Sequence, residues 1–165
     1  MSQRMIINME IERKFLINSF PDDLPLIEEA VVYQGYISVN PIVRIRSKTS
    51  SKGTDYILCF KGKGTLVRQE TEIEIDEHTF KELKKLLNAP MIRKDYRVFR
   101  LPDGYNLECS LVDKGEPTEF MFAEIEFETL EQAEAYNPPE LLNREVTRDG
   151  SYGMATYWVR KMQQL

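Results

Sequence analysis

The sequence has few cysteines and no long hydrophobic run, and each shortage excludes a class of protein. Cys59 and Cys109 are the only cysteines among 165 residues, too few for a disulfide framework. The longest uninterrupted apolar run, 56–60, has five residues, far short of a membrane-spanning helix. The first ten residues hold no apolar core of the length that a secretory signal needs. We therefore expect a protein of the reduced cytoplasm with no membrane partner.

Positive charge and histidine are also scarce. The 22 Lys and Arg residues are outnumbered by 27 Asp and Glu residues, which gives a formal net charge of −5. Such a chain does not hold nucleic acid by its whole surface, and we expect no sequence-specific nucleic-acid partner. The single histidine, His78, lies outside any strand motif, so histidine-based catalysis is not expected. Without linkers or repeats, the chain is predicted to form one domain, 1–165, as a monomer or homodimer.

Most of the chain alternates apolar and charged residues with period two, which predicts strands with two different faces. In the first of them Glu10, Glu12 and Lys14 share one face, opposite Ile11 and Phe15. A Leu-Pro-Asp-Gly turn at 101–104 predicts a hairpin between two later strands. The alternation predicts eight strands, over residues 6–17, 31–39, 42–48, 54–63, 66–75, 92–100, 105–112 and 118–128.

Four segments carry helical patterns instead. Asp76 is a predicted N-cap for a helix over 77–88, and Thr129 with Gln132 has capping-box spacing for a helix over 130–136. A third helix is predicted over 151–163, and a weak pattern that contains a proline predicts a fourth over 22–30. Together the elements predict an α+β, mainly β fold.

Eight largely antiparallel strands predict a closed barrel, because closure removes exposed sheet edges. The alternation of apolar and charged residues is compatible with two arrangements. The charged faces can lie outside the barrel, as on an ordinary solvated sheet, or inside it. The helices favour the second arrangement, because their apolar stripes need the outward apolar faces of the strands as packing partners. We therefore predict a closed eight-stranded antiparallel β-barrel with a charged interior and helices packed outside.

A charged lumen indicates a ligand, because buried charge without compensation destabilises a fold. Lys and Arg side chains suit phosphate oxygens, and clustered glutamates suit a hard divalent cation such as Mg²⁺ or Mn²⁺. The two sets together predict a site for a metal ion and a polyphosphate.

The motifs, in their order along the chain, resemble those of the CYTH, or triphosphate tunnel metalloenzyme, superfamily. The resemblance covers roughly residues 9–160 and begins with an E-x-E-x-K signature, which is weak when it stands alone. Further motifs follow in the family's order, and their number makes the resemblance specific. The matching residues are Glu10, Glu12 and Lys14; Gln34 and Tyr36; Arg44 and Arg46; Lys61 and Lys63; Arg68, Glu70 and Glu72; and Glu124 and Glu126.

The resemblance implies a tunnel in which a triphosphate-containing small molecule is hydrolysed with Mg²⁺ or Mn²⁺. It implies metal ligands at Glu10, Glu12, Glu124 and Glu126, with Glu70 and Glu72 orienting cations, water or a second metal. Glu10, Glu72 and Glu126 are the candidates to orient the attacking water. Phosphate-binding residues are implied at Lys14, Arg44, Arg46, Lys61, Lys63 and Arg68.

The sequence departs from the family pattern at three places. Where the family has Lys-x-Arg, this chain has Lys94 and, one place late, Arg97, and both are candidates for phosphate binding. Either a bulge turns Arg97 inward or only one of the two residues faces the tunnel. Ser110 replaces a family carboxylate and weakens the case for a second metal. Near the C-terminus Ser151 replaces a basic residue, for which Arg148 is a candidate substitute.

Three activities are compatible with these residues. Hydrolysis of inorganic triphosphate is the first expectation. Conversion of ATP to cyclic AMP uses the same basic residues but also needs an adenine pocket, for which no distinct cluster is visible. A non-catalytic polyphosphate-binding module would keep the basic residues without needing the glutamates.

Overall fold

The computed structural model describes residues 3–165 as a closed barrel of eight strands. The strands are β1 (Met5–Leu16), β2 (Leu26–Val39), β3 (Ile42–Ser50), β4 (Gly53–Lys61), β5 (Val67–Glu74), β6 (Ile92–Arg100), β7 (Asn106–Val112) and β8 (Phe120–Glu126). Their order around the barrel is β1-β5-β4-β3-β2-β6-β7-β8, with antiparallel neighbours throughout. The predicted barrel is confirmed.

Three helices and one 3-10 turn make up the remaining regular structure of residues 3–165. They are α1 (Glu77–Lys84), α2 (Leu130–Ala135), the turn Gly150–Tyr152 and α3 (Met154–Gln163). The Asp76 side chain accepts a hydrogen bond from the Thr79 amide at 2.7 Å, as expected of an N-cap. Thr129 and Gln132 form the predicted capping box at the start of α2.

The helix predicted over 22–30 is wrong, because β2 begins directly after Pro25. Residues from Leu26 onward pair with β6, and residues from Val31 onward pair with β3 as well. Hydrogen bonds to two neighbouring strands satisfy this backbone over 14 residues, whereas a short helix with a weak apolar stripe has no comparable support.

The charged strand faces point into the barrel, and the apolar faces carry the cores outside it. One core joins the outward side chains of β1, β7 and β8, including Phe15 and Ile125, to Ala133 of α2. A second forms where Tyr157 and Trp158 of α3 pack at one end of the barrel. Burial against these short helices explains why the outer faces are apolar.

The segment between α2 and α3 closes part of one end of the tunnel. Val146 donates its backbone N–H to the Lys14 carbonyl at 2.8 Å, and the Thr147 hydroxyl accepts from the Lys14 amide at 2.9 Å. Asp113 accepts hydrogen bonds from Tyr157 and Lys161 of α3, at 2.6 and 2.9 Å. These contacts hold the C-terminal segment against the barrel.

The helices leave one part of the barrel wall uncovered. On the outer face of β1, the side chains of Met5, Ile7 and Met9 are more than half exposed. Among residues 3–165, no helix combines the length and apolar character needed to cross a lipid bilayer.

Candidate active site

The tunnel is a cavity of about 480 Å³ lined by side chains of both signs. Each strand contributes alternate residues, because side chains along a strand point to opposite faces. On β1 these are Glu10, Glu12 and Lys14, and on β3 they are Arg44, Arg46 and Lys48. The predicted site residues that line the tunnel are Glu10, Glu12, Lys14, Arg44, Arg46, Lys61, Arg68, Glu70, Glu72, Lys94, Glu124 and Glu126.

Two predicted phosphate-binding residues do not join this set. Arg97 projects outward, where its guanidinium lies 3.0 Å from Glu29 and above the Phe20 ring. The register between β6 and β7 is continuous from Lys94 to Arg100, so no bulge turns Arg97 inward. Lys63 follows the end of β4 and is exposed. Because side chains alternate along β6, Lys94 faces the tunnel and Arg97 does not.

The first charged group in the tunnel is an ion-paired cluster that we call the paired wall. The Lys61 ammonium lies 3.0 Å from Glu10 and 3.1 Å from Glu70, with side-chain exposures of only about a tenth. The Arg68 guanidinium lies 3.7 Å from Glu10. Because β1, β4 and β5 are neighbours in the barrel, these four residues meet although they are far apart in sequence.

A second group, the open wall, consists of Arg44 on β3 and Lys94 on β6. Both side chains are at least 91% buried, and within residues 3–165 neither forms a hydrogen bond or an ion pair. Burial, together with the positive charge of Arg44, lowers the pKa of Lys94 to about 7. Arg46 lies beside them, 3.8 Å from Glu72. Burial opposes the charge of Arg44, but neighbouring groups that include Glu70 and Glu10 raise its pKa without contacting it. Buried cations that no anion contacts indicate a place for an anion.

Carboxylates crowd together in a third group, the carboxylate cluster of Glu10, Glu12 and Glu126. One oxygen from each lies within 4.8 Å of the others. Burial and the neighbouring Glu124 raise the pKa of Glu12 well above its ordinary value. Partial burial and the charges of Glu108 and Glu10 raise the pKa of Glu126 to about 7. Carboxylate oxygens held this close fit a hard divalent cation, whose charge would relieve their repulsion.

Sequence reasoning missed several residues that line the tunnel. Glu108 faces the lumen and accepts a hydrogen bond from the Tyr96 hydroxyl at 2.7 Å, and burial raises its pKa. Glu108 lies two residues before Ser110 on β7, so both side chains point to the same face of the strand. This spacing could have identified Glu108 as a tunnel residue, because Ser110 also lines the tunnel. Lys48 lines the tunnel too, but it is paired with Glu28 at 2.5 Å.

No local pattern in the sequence predicts that the C-terminal segment contacts the residues of the tunnel. The Lys14 ammonium donates a hydrogen bond to the Tyr152 carbonyl at 2.7 Å and lies 4.0 Å from the centre of the Phe122 ring. Ser151 lines a different cavity, and Arg148 is exposed and does not line the tunnel. Neither Ser151 nor Arg148 therefore places a basic side chain in the tunnel, where the family has one near the C-terminus.

Comparison with known proteins gives both sequence and structural relatives. No family model matches the chain. An inorganic triphosphatase of Nitrosomonas europaea is 36% identical over 143 residues, which cover 87% of this chain and 92% of the relative. A solved structure of the inorganic triphosphatase NE1496 is 30% identical with a TM-score of 0.64, and the match covers 91% of this chain and 94% of that one.

A more distant structural relative extends the likeness of fold. The protein PH1819 of Pyrococcus horikoshii OT3 is 17% identical, with a TM-score of 0.61 and coverage of 94% of this chain and 99% of that one. At this identity the match concerns the barrel alone.

Proposed function

This chain belongs to the CYTH, or triphosphate tunnel metalloenzyme, family, and from that premise we propose that it hydrolyses inorganic triphosphate in its tunnel with Mg²⁺ or Mn²⁺. The reaction breaks the bond between the terminal phosphorus and its bridging oxygen, and water supplies the new oxygen. The products are orthophosphate and diphosphate. The inorganic triphosphatase of Nitrosomonas europaea supports the choice of substrate.

One observation carries the proposal: buried cations without partners share a tunnel with crowded carboxylates. Arg44 and Lys94 lack anionic partners among the described residues, while Glu12 and Glu126 have raised pKa values. Each condition is unfavourable by itself, because charge in a buried site needs a counter-charge. A polyphosphate bound together with a divalent cation neutralises both.

The basic residues divide the work of binding the phosphate chain. Arg44, Arg46 and Lys94 hold phosphate oxygens and stabilise the negative charge that develops on the leaving diphosphate. Lys61 and Arg68 are already positioned by Glu10, so their geometry exists before substrate enters. Prior positioning of this kind lowers the barrier without reorganisation at the moment of reaction.

The residues that would hold the metal are Glu10, Glu12 and Glu126, with Glu124 and Glu70 as further carboxylates in the same tunnel. Their oxygens are the ligand type that Mg²⁺ and Mn²⁺ prefer. A bound divalent cation neutralises charge on the phosphate oxygens and makes the phosphorus a better electrophile.

Glu126 is our assignment for the residue that orients the attacking water. Of the three candidates, Glu10 is occupied by Lys61 and Arg68, and Glu72 lies beside Arg46. Glu126 forms no hydrogen bond or ion pair with the part of the chain that the structure describes. A carboxylate oxygen free to accept from water is what positioning a nucleophile requires.

A substrate panel tests the proposal. Inorganic triphosphate, ATP, thiamine triphosphate and long-chain polyphosphate are each incubated with Mg²⁺ or Mn²⁺, and released phosphate and cyclic AMP are both measured. We expect the highest kcat/KM for inorganic triphosphate and none without divalent cation. Appreciable cyclic AMP from ATP would identify a cyclase, and binding without turnover would identify a polyphosphate-binding module.

A matched pair of variants ties the activity to the tunnel. Lys94→Met and Arg97→Met remove one positive charge each from the same strand, three residues apart, on opposite faces. We expect Lys94→Met to lose at least about 100-fold in kcat/KM, or about 2.7 kcal/mol, and Arg97→Met to keep wild-type activity. Equal losses would place the reaction outside the tunnel.

A further inference from the structure

A second cavity lies behind the C-terminal wall of the tunnel, and no step of the proposed reaction uses it. It encloses about 280 Å³, at the lower end of the size of small-molecule sites. Its walls come from the start of β8, the 3-10 turn and one side of α3. The lining residues are Thr118, Phe120, Ser151, Tyr152, Tyr157, Arg160, Lys161 and Gln164. We call this cavity the aromatic pocket.

The aromatic pocket combines a ring-lined interior with a positive charge that has no partner. The Phe120 and Tyr157 rings lie 5.6 Å apart at its wall, and such rings favour a planar apolar ligand. Arg160 forms no ion pair or hydrogen bond with residues 3–165. Asp113 and Asp149 make their ion pairs with Lys161 and Arg144, although the charge of Arg160 also contributes to lowering the pKa of Asp149.

We propose that the aromatic pocket binds a small aromatic anion of one or two rings, whose ring lies against Phe120 and Tyr157 and whose charge pairs with Arg160. A planar guanidinium binds a carboxylate or sulfonate through two parallel hydrogen bonds. The hydroxyl of Thr118 is already bonded to Tyr157, and Ser151 and Lys161 are bonded to aspartates, so the Gln164 amide is the polar group at the wall that would orient a ligand.

Two contacts connect this pocket to the phosphate site. The backbone carbonyl of Tyr152, which lines the pocket, accepts a hydrogen bond from the Lys14 ammonium at 2.7 Å. Phe120, which also lines it, stacks on Phe122 with ring centres 5.7 Å apart, and Phe122 lies 4.0 Å from the same ammonium. A ligand that moved Tyr152 or Phe120 would change the environment of Lys14, and on these contacts we infer that the two sites are coupled.

Titration with 2-naphthoate tests the site without requiring any enzymatic activity. Its uncharged isostere 2-naphthamide is the matched ligand, and binding is followed by calorimetry and by amide chemical shifts of ¹⁵N-labelled protein. We expect shifts at Thr118, Phe120, Tyr157 and Gln164, and about threefold tighter binding of the anion, as for an exposed ion pair. No binding at millimolar ligand, or shifts confined to Arg44 and Lys94 in the tunnel, would overturn the assignment.

Variants isolate the role of the charge. Arg160→Gln is expected to remove the preference for 2-naphthoate over 2-naphthamide and to leave the affinity for 2-naphthamide unchanged. Lys84→Gln removes a positive charge from α1, which lines neither cavity, and should preserve the preference. A preference that survives Arg160→Gln would show that Arg160 does not bind the anion.

The coupling has its own measurement. The titration of 2-naphthoate is repeated with saturating tripolyphosphate in the absence of divalent cation. We expect its Kd to change by about threefold or more, and by linkage the Kd of tripolyphosphate changes by the same factor. An unchanged Kd would mean that the pocket binds its ligand independently of the tunnel and would overturn the coupling alone.

Discussion

The two walls of the tunnel present the same kinds of cation, a lysine and an arginine, but only the paired wall places carboxylates in contact with them. On the paired wall, Lys61 lies within 3.1 Å of two carboxylates. On the open wall, Arg44 and Lys94 are equally buried and have no such neighbour among the described residues. The cations of the two walls are therefore alike in residue type and burial, and they differ only in whether a carboxylate contacts them. On our proposal, the paired wall is formed before substrate enters and the open wall gains its counter-charge from the substrate.

This difference predicts that stability and activity separate along the tunnel. Removing one member of a buried pair leaves the other charge uncompensated, which destabilises the protein. Removing a buried charge that had no partner relieves a cost of burial. Substitutions on the paired wall should therefore reduce activity and stability together, and those on the open wall should reduce activity alone.

The largest effect is expected when the two carboxylates Glu126 and Glu10 are compared. Either Glu→Gln substitution should reduce kcat by about 1000-fold, because a metal's charge stabilisation is worth several kcal/mol. Glu10→Gln should also lower the melting temperature of the ligand-free protein by roughly 6 to 12 °C, because Arg68 loses its carboxylate partner and Lys61 loses one of its two. Glu126→Gln should leave it unchanged or higher. Equal thermal shifts would show that the ion pairs of Glu10 do not stabilise the ligand-free protein.

The lysines of the two walls offer the next test, this time of stability. Lys61→Met should destabilise the ligand-free protein by about 3 kcal/mol, because Glu10 and Glu70 lose their shared cation. Lys94→Met should stabilise it by replacing an unpaired buried cation with an apolar side chain of similar length. Urea denaturation measures both. A loss of stability in Lys94→Met would show that the open wall has a partner after all.

Arg46 and Lys48 sharpen the comparison within one strand. Arg46→Lys should lose more than about tenfold in kcat/KM, or 1.4 kcal/mol, because a lysine lacks the two-pronged guanidinium. Lys48→Ala should change the rate little, because Lys48 is already paired with Glu28 at 2.5 Å. Steady-state kinetics on inorganic triphosphate decides between a defined contact and diffuse attraction. Similar losses at both positions would indicate diffuse attraction.

The smallest expected effect is a proton taken up with the ligand. Lys94 has a pKa of about 7 in the folded protein against an ordinary value of 10.5, so the unfolded chain binds more protons between these values. Stability of the ligand-free protein should therefore rise with pH across that interval and fall as pH decreases toward 7. Tripolyphosphate favours the charged amine, so its binding at pH 8 should take up as much as about one proton.

Calorimetry in buffers of different ionisation enthalpy measures that uptake. Lys94→Met is the control, because it keeps the rest of the tunnel and removes the titrating amine. Uptake that persists in Lys94→Met would assign the proton to a carboxylate such as Glu12 or Glu126 instead.

The strands and the inward direction of their charges were predictable because period-two alternation is a local property. It placed Glu10, Arg44 and Lys61 on lumen faces correctly, and the apolar stripes of the helices decided between inside and outside. The same alternation predicts that Arg97 points outward when Lys94 points inward, because the two are three residues apart and therefore lie on opposite faces of the strand. Family spacing left open whether a bulge turns Arg97 inward, and the ladder between β6 and β7 has no bulge there.

What the sequence could not provide depends on contacts between distant residues. Which cation has a partner follows from barrel closure, which brings Glu10 to Lys61 across 51 positions. The contact of Lys14 with Tyr152 spans 138 positions. The β2 segment that begins at Leu26 also reads locally as a weak helix, and only pairing with β6 and β3 makes it a strand.

The division of β1 between two partners has a consequence for the newly made chain. Residues 5–11 pair with β5, but residues 12–16 pair with β8, more than 100 positions later. The barrel therefore cannot close during synthesis until β8 has been made, and such non-local closure is slow. Until then the charged faces that later line the tunnel keep one side of the open sheet hydrated. Charge of this kind on unpaired strands opposes edge-to-edge aggregation, so the residues that line the tunnel also protect the unfinished protein.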